Sequence, residues 1–423
     1  MPTDPGDGPQ ARRSLAGHLV ACRCRTGAPA GSDRDRRHRC RAAPRQEPAR
    51  ADRAAGAGSS AVTGQAERTG RAEHSWAGVL DRLIRGIDLT AEETAWVMRE
   101  VMSGDATPAQ IAGFATALRA KGETAHEIAG MADEMLAHAH RIEVPTPPTG
   151  AVDIVGTGGD RAGTVNISTM TSLVVAAAGV PVVKHGNRAA SSQAGTADVL
   201  EALGVAIDLS PAAVVDCVAE VGIGFCFAPL FHPALRHAAS PRKELGVPTT
   251  FNLLGPLTNP AQPRAGLIGC AYPEKVRVLA EVFAGRSASV MVVRGDDGLD
   301  ELTTTTTSTA WVVDRGELRQ ATVHPERLGI PLAKADDLRG GDAAHNARVI
   351  RSLVAGERGP VRDAVLLNAA AALAAHRGFS TSLDDDLSAG LEQAAAAVDS
   401  GKAATLLDDW ARTSQHLRQA QQD

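Results

Sequence analysis

Long apolar runs are missing from this 423-residue chain. None approaches the length of a membrane span, which excludes a protein threaded through a bilayer on helices. Cysteine is scarce. Of six, only Cys217, Cys226 and Cys270 lie beyond residue 72, each in an apolar context. That usage argues against a disulfide framework and for reduced, buried thiols in a cytoplasmic protein. Cys22, Cys24, His38 and Cys40 lack the loop spacings of a zinc site. No internal repeat is visible, and no nucleophile–histidine–carboxylate triad stands out.

Large apolar residues are also few in residues 1–72, which carry 14 Arg, no Lys and 7 acidic residues. Such a segment buries too little surface to offset chain entropy and is expected to be a disordered Arg/Ala/Pro-rich extension. Arg12-Arg13 before SLAGHLVAC resembles the start of an export signal only weakly, because Gly17 and His18 break the apolar stretch. A gene start assigned too far upstream gives the same composition. The rest of the chain is net acidic, which argues against a nucleic-acid-binding core.

From residue 73 to 143 the pattern is that of a small helical domain. Thr90 with Glu93, Thr107 with Gln110 and Thr124 with Glu127 read as capping boxes, with Pro108 at a first helical position. Ile111, Phe114, Ala115 and Leu118 follow at helical spacing. VPTPPTG, residues 144–150, then reads as a stiff linker. Over 150–423 the runs AVDIV, VPVV, IGFCFAP, AGLIGCA and ASVMVV read as strands, separated by helical stretches. Runs apolar on both faces imply a covered sheet, so the second domain is expected to be α/β with a mostly parallel central sheet and ligand loops at the strand ends. Later helices are left free to join the helical domain.

GTGGDRAGTVNIST, residues 156–169, falls between a strand and a helix. It lacks the lysine of a P-loop and the third glycine of a dinucleotide fingerprint. Glycines still expose backbone N–H groups, and a helix start still attracts an anion. The loop therefore reads as a phosphate-binding turn of another kind, or as a plain surface turn. Asp160 in it requires a hydroxyl, a backbone donor or a metal ion to face. KHGNRAASS, residues 184–192, is a second strand-end loop with Lys184 and Arg188 as cations and Asn187, Ser191 and Ser192 as neutral donors. GDDGLDELTTTTTS, residues 295–308, places Asp300 beside Glu301, a hard oxygen pair suited to Mg²⁺. In a straight strand the two would point to opposite faces, so joint ligation requires a turn, which Gly298 permits. We expect the pair at a solvent-accessible site. His232, Arg236, His237 and Arg242 fall on or near one helix, where an arginine fork could hold a carboxylate.

Together GTGGD, NIST, KHGNR with its SS pair, GDDGLDELTTTTTS and ALRAKGET resemble the anthranilate phosphoribosyltransferases over about residues 76–415. The resemblance implies Mg²⁺-dependent use of phosphoribosyl pyrophosphate, two metal ions, and a homodimer built through the helical part, with no nucleic-acid or membrane partner. By motif, Gly156, Gly158, Gly159, Asp160, Thr164, Asn166, Ile167, Ser168 and Thr169 would meet phosphoribosyl pyrophosphate. So would Lys184, His185, Gly186, Asn187, Arg188, Ala189, Ala190, Ser191 and Ser192, with Thr196 closing the loop. Gly156, Asn187 and Arg242 would meet anthranilate, and Ser168, Asp300 and Glu301 would ligate metal. No residue is assigned as a covalent nucleophile. Pro241, just before Arg242, raises the expectation of a kink there. A pyrimidine nucleoside phosphorylase and a non-catalytic nucleic-acid-binding relative of the same architecture stay open as alternatives.

Overall fold

Thr90, Thr107 and Thr124 each cap a helix, as their spacing requires. The computed structural model describes residues 74–145, 150–189 and 193–421, so the expected extension and Ala190, Ser191 and Ser192 lie outside the described residues. Four helices come first: α1 (Trp76–Ile84), α2 (Ala91–Ser103), α3 (Pro108–Lys121) and α4 (Ala125–Ala137). At α2, α3 and α4 the threonine hydroxyl accepts from the third helical N–H, while Glu93, Gln110 or Glu127 accepts from the cap N–H at 2.8 Å. Two otherwise unpaired donors are satisfied at each start.

The α/β part follows as β1 (Val152–Gly156), α5 (Ile167–Ala177), β2 (Val182–Gly186), α6 (Thr196–Ala202), α7 (Pro211–Val221), β3 (Ile223–Phe227), α8 (Ala228–Phe231), α9 (Ala239–Leu245), β4 (Ala265–Gly269), α10 (Val276–Gly285) and β5 (Ser289–Gly295). A hairpin of β6 (Ser308–Asp314) and β7 (Glu317–Val323) and four helices, α11 (Ala343–Val354), α12 (Pro360–Arg377), α13 (Leu383–Asp399) and α14 (Lys402–Ala420), complete it. The sheet order is β3-β2-β1-β4-β5-β6-β7. The first five strands are parallel and the hairpin is antiparallel. The hairpin is not among the runs read as strands above. Its signal lies in the Arg315-Gly316 turn, where both residues have positive φ (50° and 86°) and match the twist of the flanking strands.

Alternate strand residues serve two cores. Leu267, Met291 and Val293 join one cluster with α5, α7 and the C-terminal helices. Ile268, Val290 and Val292 join the other, which takes in α10 and Val97, Met98, Phe114 and Met131 of the first four helices. Ala238, Phe251, Leu253 and Leu254 belong to that second cluster too, so segments far along the chain share a core with α1–α4. β1 has β2 on one side and β4 on the other. That reversal opens a crevice beyond the carboxyl ends of the strands, where ligands of open α/β sheets are held.

Candidate active site

The glycine loop leaves β1 at this crevice and enters α5. Gly158 and Gly159 adopt φ of 64° and 90°, a region open to glycine and closed to most side chains. The Gly158 N–H donates to Asp300 Oδ2 at 2.7 Å. Two bonds tie the loop to β4: Thr157 N–H donates to the Gly269 carbonyl at 3.0 Å, and Thr157 Oγ1 accepts from Ala271 N–H at 3.1 Å. Farther on, Gly340 N–H donates to Gly163 at 2.8 Å and Val165 N–H to Leu338 at 3.0 Å, which pins the stretch carrying Thr164. No side chain caps α5, so its positive end faces the crevice. Ile167 and Thr169 are fully buried, which leaves them backbone roles.

Asp160, Asp300 and Glu301 come together, each offering an oxygen within 4.8 Å of the others. The turn at Gly298, with φ of 108°, lets two adjacent acids face one point. Two further glycines make the fit possible. A Cβ on Gly156 would stand 2.2 Å from Asp300 Oδ2, and one on Gly269 would stand 1.6 Å from the Asp300 carbonyl oxygen. The expected solvent-accessible pair is corrected: Asp300 is buried, and Glu301 Oε2 is enclosed with no hydrogen-bond partner. Burial, then the charge of Asp160, raises Asp300 to about 7. Glu301 is pushed well above the usual range by burial and by both aspartates. Three crowded carboxyls with an orphaned oxygen fit a divalent cation, which would remove the repulsion that raises them. Ser168 borders the same space, and its Oγ accepts from Lys184 at 3.3 Å.

Lys184 is not an exposed anion hook. Its ammonium is buried and donates to the Ile154 carbonyl at 2.6 Å, beneath the loops. Burial brings it down to about 8, opposed by the charges of Asp153, Glu301 and Asp300. His185 also turns inward: Nδ1 lies 3.0 Å from the Gly255 carbonyl, and the ring rests 5.2 Å from that of His232. Gly186 ends β2 against Phe225 and Thr196. Asn187 accepts from Ala197 N–H through its carbonyl at 3.2 Å. Arg188 pairs with Asp198 at 2.9 Å and Glu201 at 2.5 Å on α6. Asp198 closes the loop by accepting from Ala189 N–H at 3.0 Å and Gly195 N–H at 2.9 Å.

Arg242 sits on α9, half-buried, with its guanidinium 5.6 Å from the Phe251 ring centre. Among the described residues it has no ion pair or hydrogen bond to its side chain, and burial lowers its pKa. An unpaired, partly desolvated guanidinium over an aromatic face suits a planar carboxylate. The expected kink at Pro241 is absent: Pro241 is the third residue of α9, where a missing N–H breaks no helical bond. His232, Arg236 and His237 do not share its helix, since Pro233–Ala238 forms a separate 3-10 turn. His232 is buried against Thr258, and Arg236 is exposed.

Several supporting residues escaped the sequence reading. Tyr272, the chain's single tyrosine, lies under Gly159 with Arg119 of α3 5.2 Å from its ring. Asn346 of α11 donates to Asn166 Oδ1 at 2.8 Å, and Asn166 in turn donates to the Ala194 carbonyl at 3.1 Å, joining the two loops. Asn368, midway along α12, bonds the residue after Glu301. For Asn368 the available signal was a lone polar residue in the apolar run VLLNAAAALAA, whereas Asn346 sits beside His345 and Arg348 and carried none.

The α/β part that carries these loops and the helical part before it together define a class, the glycosyl transferases. The family model described as a glycosyl transferase family helical bundle domain matches residues 77–139, and that of the a/b domain matches 148–404. The chain is 62% identical over 343 residues to the anthranilate phosphoribosyltransferase of Saccharopolyspora erythraea, covering 81% of this chain and 97% of that one. It is 61% identical over 348 residues to that of Rhodococcus jostii, covering 82% and 95%. The crystal structure of the Thermus thermophilus anthranilate phosphoribosyltransferase aligns with TM-score 0.74 at 43% identity, over 80% of this chain and 99% of that one. The yeast enzyme, in complex with PRPP and Mg, shares the fold at 24% identity and TM-score 0.73, over 81% of this chain and 99% of that one. The chain belongs to the anthranilate phosphoribosyltransferase family. The phosphorylase and nucleic-acid readings draw no support from these relatives.

Proposed function

We infer that the glycine loop, the acidic cluster and Arg242 divide one transfer reaction between them. The reaction moves the phosphoribosyl group of 5-phosphoribosyl 1-pyrophosphate to the amine of anthranilate, giving N-(5-phosphoribosyl)anthranilate and pyrophosphate, a step of tryptophan biosynthesis. The bond from ribose C1 to the pyrophosphate oxygen breaks with its electrons leaving on pyrophosphate. The amine lone pair forms the new C1–N bond, and the amine then gives up a proton. A neutral aromatic amine is already a nucleophile, so the site's task is to align two substrates and receive charge on the leaving group. The backbone N–H of Gly159 and the uncapped end of α5 would meet the phosphates, while the Gly158 N–H holds Asp300. Asn187 and Gly156 stand between the two substrates, and Arg242 takes the anthranilate carboxylate through two parallel hydrogen bonds. Two Mg²⁺ ions, held by Asp300, Glu301 and Ser168, would neutralise the departing pyrophosphate. Asp160 faces the same point and belongs with that set.

The observation that carries this reading is the convergence of Asp160, Asp300 and Glu301 within 4.8 Å beside a loop of backbone donors. Asp300→Asn and Glu301→Gln keep size and remove charge. Each should move the Mg²⁺ concentration for half-maximal activity upward at least tenfold while the fold survives. Full wild-type activity in excess EDTA would overturn the assignment. Free, buried thiols at Cys217, Cys226 and Cys270 accord with a cytoplasmic enzyme. Among the described residues no helix is long and apolar enough to cross a membrane. A homodimer through the helical part accords with the exposure of Ile84 and Ile87 near the end of α1.

A further inference from the structure

Asn368 lies in the middle of an almost wholly apolar helix, is 1% exposed, and spends its amide on a loop 66 residues earlier in the chain. Its Oδ1 accepts from Leu302 N–H at 3.0 Å, and its Nδ2 donates to the Leu302 carbonyl at 2.8 Å. The second Nδ2 proton goes to the Ala364 carbonyl one turn back, at 2.9 Å. A primary amide that satisfies both backbone groups of one residue acts like a neighbouring strand and leaves that residue little rotational freedom. Leu302 directly follows Asp300 and Glu301. Asn368 also borders the small enclosed space lined by Ser168, Asp300, Glu301 and Gly156.

The acidic cluster resists its own assembly, because Asp160, Asp300 and Glu301 bring carboxyl oxygens within 4.8 Å of one another at a place where Asp300 is buried and Glu301 Oε2 has no hydrogen-bond partner. Something other than the carboxylates must hold them in place before a cation arrives. The Gly158 N–H restrains the Asp300 side chain, and the bare Gly269 leaves room for its carbonyl. Neither contact restrains the chain beyond Glu301. Helix α12 is suited to do so: it is buried along most of its length and packs against α5, α13, β4 and β5. We propose that Asn368 is a positioning residue for the metal site, a clasp through which the rigid α12 fixes Asp300 and Glu301 in ligating geometry before metal binds. The proposal rests on the reading of these acids as metal ligands. Partners that orient ligands from behind typically alter metal affinity by about 10- to 100-fold when removed.

The test is binding of Mn²⁺, followed by electron paramagnetic resonance in the presence of phosphoribosyl pyrophosphate, alongside a melting curve. Asn368→Ser loses both bonds to Leu302, while a serine hydroxyl can still back-bond to the Ala364 carbonyl. Asn368→Ala removes all three bonds. Leu373→Ala, a buried apolar truncation on the same helix, supplies a control that loosens packing without touching the loop. Both Asn368 variants should bind Mn²⁺ at least tenfold more weakly than wild type, and Leu373→Ala should bind normally despite a lower Tm. Normal Mn²⁺ affinity in Asn368→Ser, or equal weakening in Leu373→Ala, would reduce Asn368 to a packing role. If wild type binds no Mn²⁺ and Asp300→Asn changes nothing, the metal reading itself fails, a result distinct from the other two.

Discussion

At the scale of single residues, Arg242 shows how a charge can be held ready without being spent. Among the described residues other cations away from full exposure are paired: the half-buried Lys121 with Asp88 and Glu127, the buried Lys275 with Glu123, and the half-buried Arg286 with Asp133. Arg242 has only the face of Phe251. Partial desolvation without a counterion is costly and strengthens attraction for an arriving carboxylate. Arg242→Lys keeps the charge and loses the planar fork. It should raise the KM for anthranilate by about tenfold, a loss of roughly 1.4 kcal/mol, and leave that for phosphoribosyl pyrophosphate within about twofold. Steady-state kinetics with each substrate varied in turn decides it, and equal effects on both would remove Arg242 from the anthranilate subsite.

Contacts between elements bury two histidines and so tie part of the fold's stability to pH. His185, at the end of β2, meets His232, just after α8, with both rings buried. His185 Nδ1–H can donate to Gly255 and His232 Nε2–H to Thr258, leaving His185 Nε2 and His232 Nδ1 without partners. Burial, aided by His232 and Lys184, brings His185 down to about 3. Burial, aided by His140, brings His232 down to about 4. The unfolded chain takes up these two protons near pH 6.5, so the two histidines lower stability on acidification from about 6.5 towards 4. Asp153 opposes this. Burial raises it to about 6, so its contribution is present at low pH and lost as pH rises through 6. Asp300 and Glu301, raised by burial in the same way, oppose it too, so the histidine contribution is read as the difference between wild type and a histidine variant. His232→Gln should gain stability relative to wild type as pH falls from 6.5 to 4, by roughly 3 kcal/mol at most. Denaturant unfolding across that range is the measurement, and an unchanged slope would show that His232 titrates as it does in water.

For the molecule as a whole, the open question is what covers α1. Ile84 is 77% exposed and Ile87 38%, close together at the end of a helix that buries Val79 and Leu83 on its other side. A homodimer would bury them at little cost, since they already lie outside both cores. Sedimentation should give twice the mass of one chain. The double change Ile84→Glu and Ile87→Glu should shift it to a single chain with unaltered helical circular dichroism. A wild-type monomer would refute the assembly.

Local chemistry alone determined much of this. The three capping boxes, the five parallel strands and the turn at Gly298 are legible because each depends on residues within a few positions of one another, as do the strand-end loops. The identity of the acidic pair was legible for the same reason. Its burial was not, because it follows from glycines at 156 and 269 whose missing side chains make room for a residue at 300. Lys184 and Arg188 look alike as cations in one loop, yet one donates to Ile154 of the inner strand β1 and the other pairs with α6. Asn368 and Asn346 gain their roles only when helices from the end of the chain pack across loops at its middle. Hydrogen bonds and desolvation act over a few ångströms in space, whatever the separation along the chain, so the sequence named the candidate groups and the tertiary structure decided which of them are buried, which are paired and which stand unpartnered at the crevice.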